Sequence, residues 1–136
     1  MQRRAEKMLD FLGLGEVELS LALVDDGTIR RLNKAYRGYD KPTDVLAFSL
    51  REGEPFAPVD DEPLGDVVLA VPMAERQARQ ARRPLLDEAT MLLAHGLLHL
   101  LGYDHRTKRE ERVMIAKTRE LEVASLIRRV PPPRKP

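Results

Sequence analysis

Residues 85–101 constrain the fold more than any other stretch, because Leu85, Leu86, Met91, Leu92, Leu93, Leu97, Leu98, Leu100 and Leu101 place apolar side chains on nearly every side of a helical wheel. A helix without a polar face must be wrapped on all sides. The run therefore predicts a central helix with the rest of the chain packed around it. With Asp87, Glu88, His95 and His99 inside it, the run is too polar and too short for a membrane span. The 136 residues suffice for one domain around that helix. Only 4% of residues are aromatic and none is Trp, so Leu, Val, Ala and Met must fill the core. The chain has no Cys, which excludes a disulfide framework, thiolate metal sites and a Cys nucleophile together. Any metal must rest on His and carboxylates. No apolar segment follows the basic start at Arg3 and Arg4, so the reading is of a cytoplasmic protein with no membrane partner.

Around the central helix the pattern predicts an α+β domain. Ala5, Met8, Leu9 and Leu12 are spaced for a first helix, which Gly13 and Gly15 stop. Val17, Leu19, Leu21 and Leu23 alternate with Glu18, Ser20 and Ala22, the mark of a half-buried strand. A short helix follows, capped by Asp26 or Thr28, with Ile29 and Leu32 inward; 36–42 then read as a turn-rich loop around Gly38 and Pro42. Residues 44–50 and 65–71 read as two more strands, separated by an acidic, Pro-containing loop. Pro72 suits the first turn of a helix reaching about Arg82, with Arg76, Arg79 and Arg83 on one stripe. Those arginines are assigned at most a diffuse attraction for a polyanion. A last charged helix from Thr107 to about Ile127 is expected to bury Val113, Ala116, Leu121, Ala124 and Ile127. The domain is placed at 1–128, and 129–136 form a basic, Pro-rich tail expected to be disordered.

All three histidines fall within eleven residues, His95-Gly96-Leu97-Leu98-His99-Leu100-Leu101-Gly102-Tyr103-Asp104-His105. On a helix, His95 and His99 share a face and can converge on one cation. Gly102 lets the chain leave the helix and turn back, which can bring His105 to the same point. Three neutral imidazoles leave one tetrahedral position open, as in catalytic zinc sites. The bland alternative is two hydrogen-bonded core histidines and one on the surface. Zinc is the default ion, although imidazole also suits nickel, copper and iron. Metzincin proteases share this spacing but carry a Glu general base after the first His, where this chain has Gly96. A glycine inside a helix signals that side-chain volume is unwelcome there, near the metal or at a helix contact.

The segment from His95 to His105 resembles the His-Gly-x-x-His-Leu-x-Gly-Tyr-Asp-His signature of the bacterial YbeY family. Upstream, Leu32-Asn33, Tyr36-Arg37-Gly38 and Asp40-Lys41-Pro42-Thr43-Asp44-Val45-Leu46, with Phe48, are similar to the family's second motif, and Leu64-Gly65-Asp66-Val67 to its third. The resemblance implies a single-domain, metal-dependent endoribonuclease acting on single-stranded RNA. It implies a role in maturation of the 16S rRNA 3' end and in ribosome quality control. One zinc per chain would be held by His95, His99 and His105, in a small mixed β-sheet of three or four strands with helices around it. The partners implied are rRNA precursor and the ribosomal small subunit, with no DNA expected. Family members carry a further strand ahead of the first helix, whereas this chain begins almost at that helix; Ala47-Phe48-Ser49 stands where the family has Ser-Phe-Pro.

Arg37 corresponds to the arginine of the Tyr-Arg-Gly motif, and the resemblance places it in the catalytic set with His95. A guanidinium can grip a phosphate bidentately and meet charge developing there; the plainer reading is a surface arginine capping carbonyls. Asp104 is read as orienting a ligand imidazole or as capping the last helix. Thr43 and Asp44 are read as turn and edge residues. Tyr36, Tyr39 and Tyr103 offer a ring for base stacking, against the commoner fate of burial. Two rival functions stand beside the nuclease. One is a zinc metalloprotease, on spacing alone; the other is a metal-stabilised ribosome-binding factor without chemistry.

Overall fold

The computed structural model describes residues 1–15, 17–49 and 63–126. Helix α1 (Gln2–Phe11) leads to strand β1 (Leu19–Val24), helix α2 (Asp26–Arg37), and strands β2 (Val45–Ser49) and β3 (Gly65–Ala70). Helices α3 (Val71–Ala81), α4 (Leu85–Leu100) and α5 (Lys108–Leu126) complete the domain. The result is an α+β fold with a mixed sheet, as the sequence pattern anticipates. Among the described residues the sheet has three strands in the order β1-β3-β2, with β3 parallel to β1 and antiparallel to β2.

Burial explains the order. Val67, Val68, Leu69 and Ala70 form an unbroken apolar run, and all four are buried, as a strand covered on both faces requires. Val67 and Leu69 join the larger core with Leu92, Leu93, Ala94, Leu97 and Leu98 of α4, Met8 and Leu9 of α1, and Met114 and Leu121 of α5. Val68 and Ala70 face the other way, onto Ile29 of α2 and Leu46 of β2. The apolar helix is thus central, wrapped by α1, α3, α5 and the sheet. Arg4 of α1 fastens to it by hydrogen bonds to Asp87 at 3.0 Å and Thr90 at 2.9 Å.

Several local expectations need correction. In β1 the alternation fails at Leu23, which is 55% exposed while Val24 packs inward. β1 is an edge strand, and nothing among the described residues covers that position. Helix α2 is capped by Asp25, whose carboxylate accepts the Thr28 N–H at 2.7 Å, and neither Asp26 nor Thr28 is the cap. It also runs two residues further than expected, so Tyr36 and Arg37 are helical and Gly38, left-handed at φ 76°, ends it. In α5 the buried side is set by Met114, Thr118, Leu121, Ala124 and Ser125; Val113 and Ala116 are exposed. Thr118 and Ser125 tolerate burial because their hydroxyls donate to the carbonyls of Met114 and Glu122. Arg83 is not on a free basic stripe: it lies 3.2 Å from buried Glu88 and 3.5 Å from Glu122, tying α4 to α5. Arg76 pairs with Asp26, and Arg79 with Glu75. Most of the acidic loop, Ile127 and the tail at 129–136 lie outside the described residues.

Candidate metal centre

Two features of α4 build the site. His95 and His99 are one helical turn apart, and their ring centroids are 5.4 Å apart. After Leu100 the chain turns at Gly102, whose φ of 93° is costly for any side-chain-bearing residue, and Tyr103 N–H closes the turn on the Leu98 carbonyl at 3.0 Å. That reversal returns His105 to the helix face, its ring 5.5 Å from His99 and 6.2 Å from His95. The three histidines therefore meet, as their spacing predicts.

Neither His95 nor His99 makes a side-chain hydrogen bond among the described residues, so they are not the satisfied core histidines of the bland alternative. Burial holds both imidazoles below their ordinary pKa. His95 and His105 add to the effect at His99, as does Arg37, while Asp44 opposes it at His95. A neutral imidazole keeps the lone pair that a ligand must offer. Among the described residues, as they are placed, no three His, Asp or Glu side chains form a group that could hold a metal ion. Tetrahedral ligation at about 2.0–2.1 Å would set ring centroids roughly 5 Å apart, closer than the 5.4, 5.5 and 6.2 Å seen here, so the three rings would have to draw inward to share one ion. His105, carried on the turn, is the most exposed of the three.

Because burial depresses both pKa values, acid is expected to work against the fold. As pH falls below the ordinary histidine value of 6.5 the unfolded chain takes up protons that folded His95 and His99 resist, so stability is lost from that point downward. Melting temperatures of metal-stripped protein between pH 8 and pH 5 should decline below about 6.5. The decline should be shallower in a His95→Ala, His99→Ala double variant.

Around the trio stand three charged groups. Asp104 accepts the backbone N–H of His105 at 2.7 Å, lies 3.6 Å from its Nδ1 and pairs with Arg106 at 2.8 Å. Its pKa is lowered, first by that backbone bond. Thr107, whose hydroxyl accepts the Glu110 N–H, caps α5, so Asp104 serves the His105 turn and not the helix. Arg37, at the end of α2, is near enough to His99 to act on its charge. Arg30 and Lys34 on the same helix are spent on Asp40, yet the Arg37 side chain makes no hydrogen bond or ion pair, and so caps no carbonyl, among the described residues. Asp44, read from sequence as a turn and edge residue, does more: half-buried at the head of β2, it accepts from Val45 N–H at 2.8 Å and Gln77 at 3.2 Å, and its charge reaches His95. Its signals in sequence are an acid opening an apolar strand and a place in the second motif. Gly96 faces away from the ligand side, since a Cβ there would lie 2.8 Å from Val67 and 3.2 Å from Val45. The glycine answers to the helix–sheet contact.

Residues 1–124 match the family model described as endoribonuclease YbeY. The chain is 48% identical over 123 residues to an endoribonuclease YbeY from Pelotomaculum thermopropionicum, covering 89% of this chain and 81% of the relative. With the Aquifex aeolicus protein of that name it is 49% identical over 122 residues, covering 90% and 77%. A solution structure from Thermotoga maritima superposes with a TM-score of 0.62 at 27% identity, covering 91% of this chain and 79% of that one.

Proposed function

The chain belongs to the endoribonuclease YbeY family, and we propose that it cleaves single-stranded RNA in a metal-dependent reaction centred on His95, His99 and His105. The observation that carries this reading is the convergence of three imidazoles beside an uncommitted arginine. The substrate is rRNA precursor, processed at the 16S 3' end, and the setting is the cytoplasm, with the ribosomal small subunit as partner and ribosome quality control as the wider role. No helix among the described residues is long and apolar enough to cross a membrane. Zinc is the ion proposed, one per chain, held by the three histidines, with Asp104 steadying His105 and Asp44 facing His95.

When bound, the ion supplies Lewis-acid polarisation and countercharge at the reacting phosphate. Arg37 supplies the second positive group. Its planar fork can take two phosphate oxygens together and meet the charge that grows on them in the transition state. Arg37 and His105 are exposed while His95 and His99 are partly buried, an arrangement that suits a polymer gripped in mid-strand.

The test is metal analysis of protein purified without a His tag, together with cleavage assays on structured RNA and on casein, each with and without chelator. RNA cleavage that chelator abolishes is expected. Metal-dependent casein cleavage with RNA left intact would overturn the reading in favour of a protease. Within it, Arg37→Ala should leave metal content and melting temperature unchanged and slow single-turnover cleavage by about 10²-fold, roughly 2.7 kcal/mol. Arg37→Lys should recover little, because a point charge cannot reproduce a bidentate fork. A normal rate for Arg37→Ala at saturating RNA would remove it from the catalytic set.

A further inference from the structure

Single-stranded RNA offers two things to a protein, its phosphates and the faces of its bases, and the site described so far addresses only the first. The three tyrosines of the chain have separate fates. Tyr103 packs against the main core beside α4. The Tyr39 ring carries the Lys41 ammonium 5.6 Å above its centroid. Tyr36, 70% exposed on the last turn of α2, is neither buried nor covered, and its hydroxyl has no partner among the described residues. An aromatic ring held so far into water is unusual in a chain with so few of them.

Its orientation is nevertheless fixed. The ring meets Phe48 of β2 edge to face, with centroids 5.2 Å apart and planes at 61°. Whichever ring contributes the edge, at least one broad face of Tyr36 stays open to solvent. The next residue is Arg37, uncommitted and within electrostatic reach of His99. Tyr36 and Arg37 are consecutive, with Cα atoms about 3.8 Å apart, so a base and the neighbouring phosphate of one extended RNA strand can meet the two together. Phe48 packs with the α2-side cluster, on the face of β2 opposite Val45, so Tyr36 stands across β2 from α4.

We propose that Tyr36 is a base-stacking subsite, where the open ring takes the nucleobase next to the phosphate that Arg37 grips. This rests on the ribonuclease reading above. Phe48 acts as the backing that keeps the ring from collapsing onto the surface. Stacking is tolerant of base identity, so the subsite selects unpaired over paired RNA and leaves sequence choice weak. A base in a duplex has both faces already stacked and cannot reach the ring.

The experiment uses full-length protein as purified and a short single-stranded RNA cut at one position, with an abasic residue walked along it. Tyr36→Ala is expected to raise KM roughly tenfold with kcat little changed, while Tyr36→Phe and Tyr36→Trp stay within about threefold of the parent. In the parent, one abasic position beside the cut should raise KM by a similar factor, and in Tyr36→Ala that position should cost nothing further. The chain lacks Trp, so Tyr36→Trp also installs a single fluorophore whose emission RNA should quench. An unchanged KM in a folded Tyr36→Ala, or an abasic penalty that persists in it, overturns the subsite and leaves the ribonuclease intact. Parent protein that neither binds nor cleaves the RNA brings down the ribonuclease reading itself, and the subsite with it.

Discussion

With zinc held as proposed, His99→Ala is expected to abolish metal binding and to slow RNA cleavage by roughly 10³-fold or more, about 4 kcal/mol of transition-state stabilisation. The size follows from where His99 stands. It is 5.4 Å from His95 and 5.5 Å from His105, so its loss leaves two imidazoles 6.2 Å apart with nothing between them. A two-histidine remnant cannot hold the ion in the three-ligand geometry that leaves a single open position. The fold should survive, because the His99 side chain makes no hydrogen bond among the described residues. Metal-stripped parent and variant should therefore melt within a few degrees of each other. Only the parent should gain stability when zinc is added back. Metal content by elemental analysis and single-turnover cleavage are the measurements. Full metal occupancy in the triple variant His95→Ala, His99→Ala, His105→Ala would show that the ion sits elsewhere.

The site was more legible in the sequence than were its surroundings, for a physical reason. Histidines four apart on a helix, and a third past a glycine turn, are positioned by local geometry alone, and local geometry is what a sequence states most directly. Arg37 shows the next level of difficulty. Gly38 read as the middle of a loop, but it is the left-handed cap of α2, so the helix delivers Arg37 on its last turn. Asp44 lies further from view still. Its nearness to His95 depends on β2 packing against α4, a contact between segments some fifty residues apart. In α5 the rotation of the helix was misjudged because Thr118 and Ser125 look polar on paper. Their hydroxyls are satisfied within the helix, and that frees them to be buried while Val113, at 43% exposure, faces water. Arg83 likewise read as a solvated charge until α4 and α5 supplied Glu88 and Glu122 on either side of it.

Gly96 is the position at which the nuclease and the protease part company, and replacing it is expected to break the fold before it alters any chemistry. A Cβ at 96 would lie 2.8 Å from one methyl of Val67 and 3.2 Å from the other, with Val45 also at 3.2 Å. Val67 is fully buried in the central strand, and its branched side chain has one easy rotamer, so it cannot swing clear. Gly96→Ala gains about 1 kcal/mol of helix propensity and loses about 1–3 kcal/mol to overpacking. The net expected is a melting temperature lower by a few degrees. Gly96→Glu, which would restore the residue that metzincins use as a base, is a far larger change. It drives a carboxylate into the α4–sheet contact, where the atoms nearest a Cβ are methyls of Val67 and Val45, at a cost of several kcal/mol. Thermal denaturation and solubility should show Gly96→Glu largely unfolded, with no casein cleavage gained. A folded Gly96→Glu that cleaves casein would mean the 96 side chain reaches the metal. Pairing the glycine variants with Val67→Ala provides the decisive control, since removing the two methyls should relieve Gly96→Ala in particular. That rescue would place the constraint at the helix–sheet contact and not at the metal.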